Sequence, residues 1–311
     1  MAYRDVYREQ VQLLVRILPI IAEEAAFALK GGTAINLFAR DMPRLSVDID
    51  LTYLPVEPFE DSVRGIDEAL QRIVAKIRNT IPRSQTNEQR SKEGHIERVH
   101  VAADRVGVKI EVTPVLRGVV YDPVMMTVAA KVEEAYGFAE ARVVSSADLY
   151  AGKLVAALDR QHPRDLFDVR MLFAQEGVSD ELRRAFVVYL LSGQKPLHAI
   201  LAPPRRDIAQ KFEREFEGMT EEPVALDDLI ATREEMIARM AGEMPIEHRR
   251  FLASFKRGEP QWDLLGIPHI AELPAVKMRM QKLAALDADT RAAQIAALEK
   301  VLFGETAGAG A

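Results

Sequence analysis

The 311-residue chain contains no cysteine, one tryptophan and no apolar run approaching the roughly 18 residues that span a bilayer. The missing thiol excludes disulfides, thiolate zinc sites and cysteine nucleophiles. The missing apolar run leaves no candidate membrane span, and the N-terminal stretch, charged from Arg4 to Glu9, has no signal-peptide core. The expected location is therefore the cytoplasm, with no membrane partner. Strong charge of one sign is also absent: the net charge of -6 gives no overall attraction to nucleic acid, so any RNA contact must rest on local basic groups.

Against this background one stretch stands out. Lys30-Gly31-Gly32-Thr33 is followed, sixteen residues after the second glycine, by Asp48-Ile49-Asp50 behind Arg44 and Ser46. Paired glycines that open a helix let backbone N–H groups approach a polyphosphate, and the helix N-terminus adds a favourable dipole. Leu45, Val47, Ile49 and Leu51 alternate with Ser46, Asp48, Asp50 and Thr52, the period of a half-buried strand. Both aspartates then share one face, where carboxylates can hold divalent ions that bridge phosphate oxygens. Either element alone is also found as a plain turn or as solvated strand surface; the combination points to phosphoryl or nucleotidyl transfer.

A helix is expected over residues 5 to about 29, with Pro19 as a possible break, followed by a helix over Thr33 to Arg40, a strand over Arg44 to Tyr53 and a helix over Ser62 to Arg78. Ile96 to Ala102 and Val106 to Val115 read as strands joined at Asp104-Arg105. Glu111 falls on the polar face of the second. It either completes an acidic triad or forms an ion pair with Lys109 or another base. Ala147 to Arg160 reads as a helix capped by Ser145 or Ser146, and His162-Pro163-Arg164-Asp165 opens the next, with Asp165 and Asp168 on one side of its first turn.

The segment Phe27 to Tyr53 resembles the signature of the AbiEii family of nucleotidyltransferase toxins, a branch of the polymerase-beta-like nucleotidyltransferases. Lys109-Ile110-Glu111-Val112, Ser145 to Lys153 and Arg164-Asp165-Leu166-Phe167-Asp168 are similar to its later motifs, in order, over roughly the first 175 residues. The resemblance implies a nucleoside triphosphate substrate, Mg2+ or Mn2+, a tRNA or other RNA acceptor, and a cognate antitoxin encoded next to the toxin. It assigns catalysis to Asp48, Asp50, Lys153, Asp165 and Asp168, and phosphate or nucleotide binding to Gly31, Gly32, Thr33, Arg44, Ser46 and Arg164. Metal binding falls to Asp48, Asp50 and Glu111. A protein or small-molecule hydroxyl is the alternative acceptor, and nucleotide binding without turnover the alternative activity.

The expected fold is α/β (α+β): a nucleotidyltransferase-like mixed sheet with helices over residues 1–175, a helical domain over 176–303 and a disordered tail over 304–311. Basic groups at Arg205-Arg206, Arg249-Arg250, Lys256-Arg257, Lys277, Arg279 and Lys282 lie in the helical half. For each of these an ordinary solvated face is the simpler reading.

Overall fold

The computed structural model describes residues 2–304; the side chains of residues 2–5 and 114–116 are not described. The tail expected over 304–311 falls, from residue 305, outside the described residues. Contacts divide the chain into two units, one comprising residues 1–149 with 218–223, the other 150–217 with 224–311. The sequence placed the boundary at 175, whereas residues 150–175 group with the later helices.

In the first unit, α1 (Ala2–Ala22) leads to β1 (Phe27–Lys30), α2 (Gly31–Ala34), β2 (Asp48–Tyr53) and α3 (Phe59–Thr80). There follow β3 (Gln85–Arg90), β4 (Ile96–Ala103), β5 (Val106–Arg117), β6 (Val124–Thr127), α4 (Ala130–Tyr136) and β7 (Glu140–Val143). The seven strands form one mixed sheet in the order β3-β4-β5-β2-β1-β7-β6. The β2–β5 and β1–β7 pairs are parallel and the others antiparallel. One layer of the core consists of Ile49, Leu51, Val99, Val101, Val108 and Ile110 from the strands, all at most 2% exposed. Leu14, Ile17 and Leu18 of α1 and Leu70, Ile73 and Ile77 of α3 are equally buried. Each such side chain contributes on the order of 1.5–3 kcal/mol through burial.

Three expectations need correction. The first helix runs through Pro19 but stops at Ala22, and Phe27 to Leu29 form a central strand instead. A short run buried on both sides carries no period that separates strand from helix. The acidic strand begins at Asp48, while Arg44 upstream makes an isolated bridge with Thr220. Strands β3, β6 and β7 were not expected: β3 and β6 lie at the sheet edges with mostly exposed side chains, and β7 has four residues, too short for a pattern.

The second unit is helical. α5 (Ser146–Arg160) crosses the boundary, followed by α6 (Pro163–Gln175), α7 (Asp180–Ser192), α8 (Leu197–Leu201), α9 (Ala209–Glu215) and α10 (Leu226–Ile237). α11 (Ile246–Arg257), α12 (Pro274–Ala284) and α13 (Ala288–Phe303) complete it. α12 and α13 are separate helices, the second capped by Asp287, which accepts the Thr290 N–H at 2.8 Å.

Candidate active site

Lys30 enters α2 in extended conformation, and Gly31 then takes φ +75°, the left-handed region that disfavours side chains. A Cβ on Gly31 would lie 2.4 Å from the Asp50 Oδ2 atom. On Gly32 it would lie 2.9 Å from both the Arg44 Nη2 and the Ser46 Oγ atoms. The two glycines therefore let a carboxylate, a guanidinium and a hydroxyl pack directly on the backbone. The Thr33 hydroxyl donates to the Asp48 carbonyl and lies 3.1 Å from the Ser46 hydroxyl, joining the turn to the acidic strand. α2 has only four residues before a π-helical turn over Ile35–Ala39, so the helix dipole is weaker than the sequence implied. Side-chain charge carries more of the attraction for an anion.

That charge is organised by register. Lys30 on β1 pairs with Asp50 on β2, and Asp50 pairs with Glu111 on β5. Burial pushes the Asp50 carboxyl above the ordinary aspartate range, and the neighbouring Asp48 and Glu111 push the same way against Lys30. Burial likewise lowers the Lys30 ammonium, with Asp50 opposing it. Asp48 is more open, its side chain 44% exposed, with the Lys109 Nζ atom 3.8 Å away.

Glu111 makes the ion pair that the sequence offered as one of its two readings. Its carboxylate accepts from Lys109 at 2.7 Å and from Arg98, the residue opposite it on β4. Burial pushes its pKa up, but the bonds from Lys109 and Arg98 outweigh this and hold it below the usual value. Asp50 and Glu111 are opposite each other on β2 and β5, but among the described residues no three acids converge closely enough to hold a metal ion while Glu111 is engaged by its two bases. Asp48 and Asp50 remain as a same-face pair. Two carboxylates on adjacent outward positions, one of them poorly solvated, suit a hard cation with oxygen ligands.

In the second unit Lys153 is buried between two acids. Its Nζ atom lies 3.0 Å from Asp165 Oδ1 and 2.9 Å from Asp168 Oδ2, with side chains 7%, 3% and 1% exposed. Arg160 also donates to Asp165, from Nε at 2.5 Å and Nη2 at 3.0 Å. Burial alone would raise the Asp165 carboxyl; Lys153 and Arg160 hold it far below its usual range. Both aspartates engage the lysine. Arg164 pairs with neither: its Nη2 atom approaches Glu215 at 3.8 Å, and its backbone N–H donates to the capping His162 at 3.2 Å. In the first unit Ser145 caps α5 by accepting the Asp148 N–H at 3.0 Å, and the Asp148 carboxylate takes the Val120 and Tyr121 N–H groups at 2.8 and 2.9 Å.

Residues 12–275 match the family model described as "Nucleotidyl transferase AbiEii toxin, Type IV TA system". The chain belongs to this family. As an AbiEii protein it is a nucleotidyltransferase and the toxin of a type IV toxin-antitoxin system. It is similar in structure to MenT4, a nucleotidyltransferase toxin from Mycobacterium tuberculosis H37Rv, with a TM-score of 0.58 and 18% identity over 89% of this chain and 93% of that one. That likeness supports the nucleotidyltransferase-like α/β fold. No curated protein matches the chain. No helix among the described residues is long and apolar enough to cross a membrane.

The structure brings Gly31, Gly32, Thr33, Arg44, Ser46, Asp48, Asp50 and Glu111 together within the first unit, and Lys153, Asp165 and Asp168 within the second. Two members of the first cluster were missed. Lys30 was read only as the residue before the glycines, although the β1–β2 register makes it the partner of Asp50. Arg98 sits on a strand whose facing neighbour, Glu111, is thirteen residues away. The alternation along Ile96 to Ala103 and the hairpin at Asp104-Arg105 would have paired them had the register been counted.

Proposed function

We propose that this AbiEii toxin transfers a nucleotidyl group from a nucleoside triphosphate to an RNA hydroxyl, the 3′ end of a tRNA being the acceptor, and thereby blocks translation and growth. One observation carries the reading: Asp50 lies directly over the Gly31 backbone, in line with Lys30 and Glu111, while Arg44 and Ser46 lie over Gly32. Such a cluster offers donors for phosphate oxygens beside paired carboxylates. The glycine turn, Thr33, Arg44, Ser46 and Lys30 bind the triphosphate. Asp48 and Asp50 would hold Mg2+ or Mn2+, which when bound offsets phosphate charge and aligns the reacting groups.

The acceptor oxygen forms a bond to the α-phosphorus, the bond from that phosphorus to the oxygen bridging to the β-phosphate breaks, and pyrophosphate leaves. The hydroxyl proton passes to a carboxylate of the acidic pair. Lys153, oriented by Asp165 and Asp168, offsets phosphate charge as the family resemblance implies. The neutralising partner is an antitoxin encoded next to the toxin.

The test is incubation of the protein and magnesium with each labelled nucleoside triphosphate, total tRNA and host protein, beside the Asp48→Asn variant. Label on tRNA, lost in the variant, supports the proposal and names the nucleotide. Label confined to protein would replace the RNA acceptor with a protein hydroxyl.

A further inference from the structure

A cavity of about 240 Å³ lies in the first unit beside the glycine turn. Its walls include Arg8 of α1, Met42 and Arg44 from the segment before β2, Lys131 and Tyr136 of α4, and Met219. Arg44 belongs to both places: it lines the cavity, and its Nη2 atom packs over the Gly32 backbone. Whatever fills the cavity is thus separated from the phosphate-binding turn by one guanidinium.

The lining has a definite chemistry. Arg8, Arg44 and Lys131 are set against one acid of the wall, Glu221, which pairs with Lys131 at 2.8 Å. Tyr136 is half-buried near Arg8, and the methionines supply adaptable apolar walls. Cations beside an aromatic ring and soft apolar side chains complement a base joined to a phosphodiester, since bases stack on aromatic faces and phosphates pair with arginine. The volume falls below the roughly 300–1,000 Å³ of ordinary small-molecule pockets, a size for a single nucleoside and too small for a helical stem.

We propose that this cavity receives the terminal nucleoside of the acceptor RNA, with Tyr136 stacking on its base and Arg8 pairing with the phosphate before it. The inference rests on the RNA reading given above and adds to it the residues that select the acceptor. Both act as positioning residues, so their removal weakens the acceptor and spares the nucleotide substrate.

Steady-state transfer is measured with magnesium, the nucleoside triphosphate that labels best, and tRNA, using wild type, Tyr136→Ala, Tyr136→Phe and Arg8→Gln. The expected result is a KM for tRNA raised about 10-fold or more in Tyr136→Ala, little change in Tyr136→Phe, which keeps the ring, and an unchanged KM for the triphosphate in all three. In Arg8→Gln the tRNA KM should rise and its dependence on salt should weaken. An unchanged tRNA KM in both Tyr136→Ala and Arg8→Gln overturns the inference, as does a raised KM for the triphosphate alone, which would put the incoming nucleotide in the cavity. If wild type labels no RNA, the RNA reading itself fails, an outcome that needs none of these variants.

Discussion

Replacing Lys153 with methionine keeps much of the volume and removes the charge that Asp165 and Asp168 share. The ammonium lies 3.0 and 2.9 Å from the two carboxylates, and none of the three side chains is more than 7% exposed. Removing one partner of a buried ion pair typically costs about 3–5 kcal/mol, because the remaining charge stays desolvated. For a unit of this size each kcal/mol lowers the melting temperature by roughly 2–4 °C, so a drop of about 6–20 °C is expected at pH 7. The acid limb follows with a definite sign. The Asp165 carboxyl is held below its ordinary value, so its contribution to stability is present above the unfolded pKa and is lost as pH falls through the folded one. Lys153→Met raises that folded pKa, so the variant has less of this contribution to lose, and its melting-temperature gap to wild type should narrow as the pH falls below about 5. Adding Asp165→Asn and Asp168→Asn to the variant should recover part of the melting temperature, since neutral partners need no counter-charge. Calorimetry between pH 4 and 7 reads all three. A Lys153→Met protein that melts within 2 °C of wild type at pH 7 would refute the ion-pair account.

Asp48→Asn should abolish transfer and leave the melting temperature at neutral pH equal to or above wild type, because Asp48 repels the desolvated Asp50; a large loss of stability would contradict the exposed, repulsive geometry. Gly31→Ala should destabilise more than Gly32→Ala, since only Gly31 has a positive φ and its Cβ would meet Asp50 at 2.4 Å; equal melting temperatures would show that the turn relaxes freely. Lys256 is 5% exposed, and burial, with Arg279 and Arg291 nearby, lowers its pKa from 10.5 to about 8. A lysine whose folded pKa is depressed is penalised while charged, and the penalty disappears between about pH 8 and its unfolded value. Lys256→Met should therefore melt higher than wild type at pH 7, with the difference shrinking toward pH 10; a constant difference would exclude this cause.

How much of this was legible in the sequence depends on the range of the interactions involved. Helices whose period and end signals are local, such as α3 and α5, lie within a few residues of expectation, because their burial and capping are set within the segment. The Asp48–Asp50 pair and the glycine turn were likewise local. The strand identity of Phe27 to Lys30 was not, since it depends on β2 and β7 on either side. The state of Glu111 was also undecidable locally: Lys109 is two residues away, but Arg98 reaches it only across the β4–β5 hairpin. Arg44 shows the longest reach, its strand extension being completed by Thr220, which no pattern near residue 44 could announce.

The register Lys30, Asp50, Glu111 explains why the site is electrostatically tense. Each acid has a base beside it, yet the pairing is uneven. Glu111 holds two bases and is stabilised as a carboxylate, whereas Asp50 faces one lysine that burial itself makes reluctant to stay charged, and has two acids for neighbours. Replacing Asp50 with alanine would therefore do two things at once, removing a carboxylate from the acidic pair and leaving Lys30 without its counter-charge. Asp50→Asn keeps the shape over Gly31 but still uncouples Lys30, so a loss of activity in either variant does not by itself assign a role to the carboxylate. Asp48 is more exposed and its base, Lys109, is also held by Glu111, so it carries less of this electrostatic load. Its variants isolate the chemistry of the pair, while those at position 50 report chemistry and electrostatic support together.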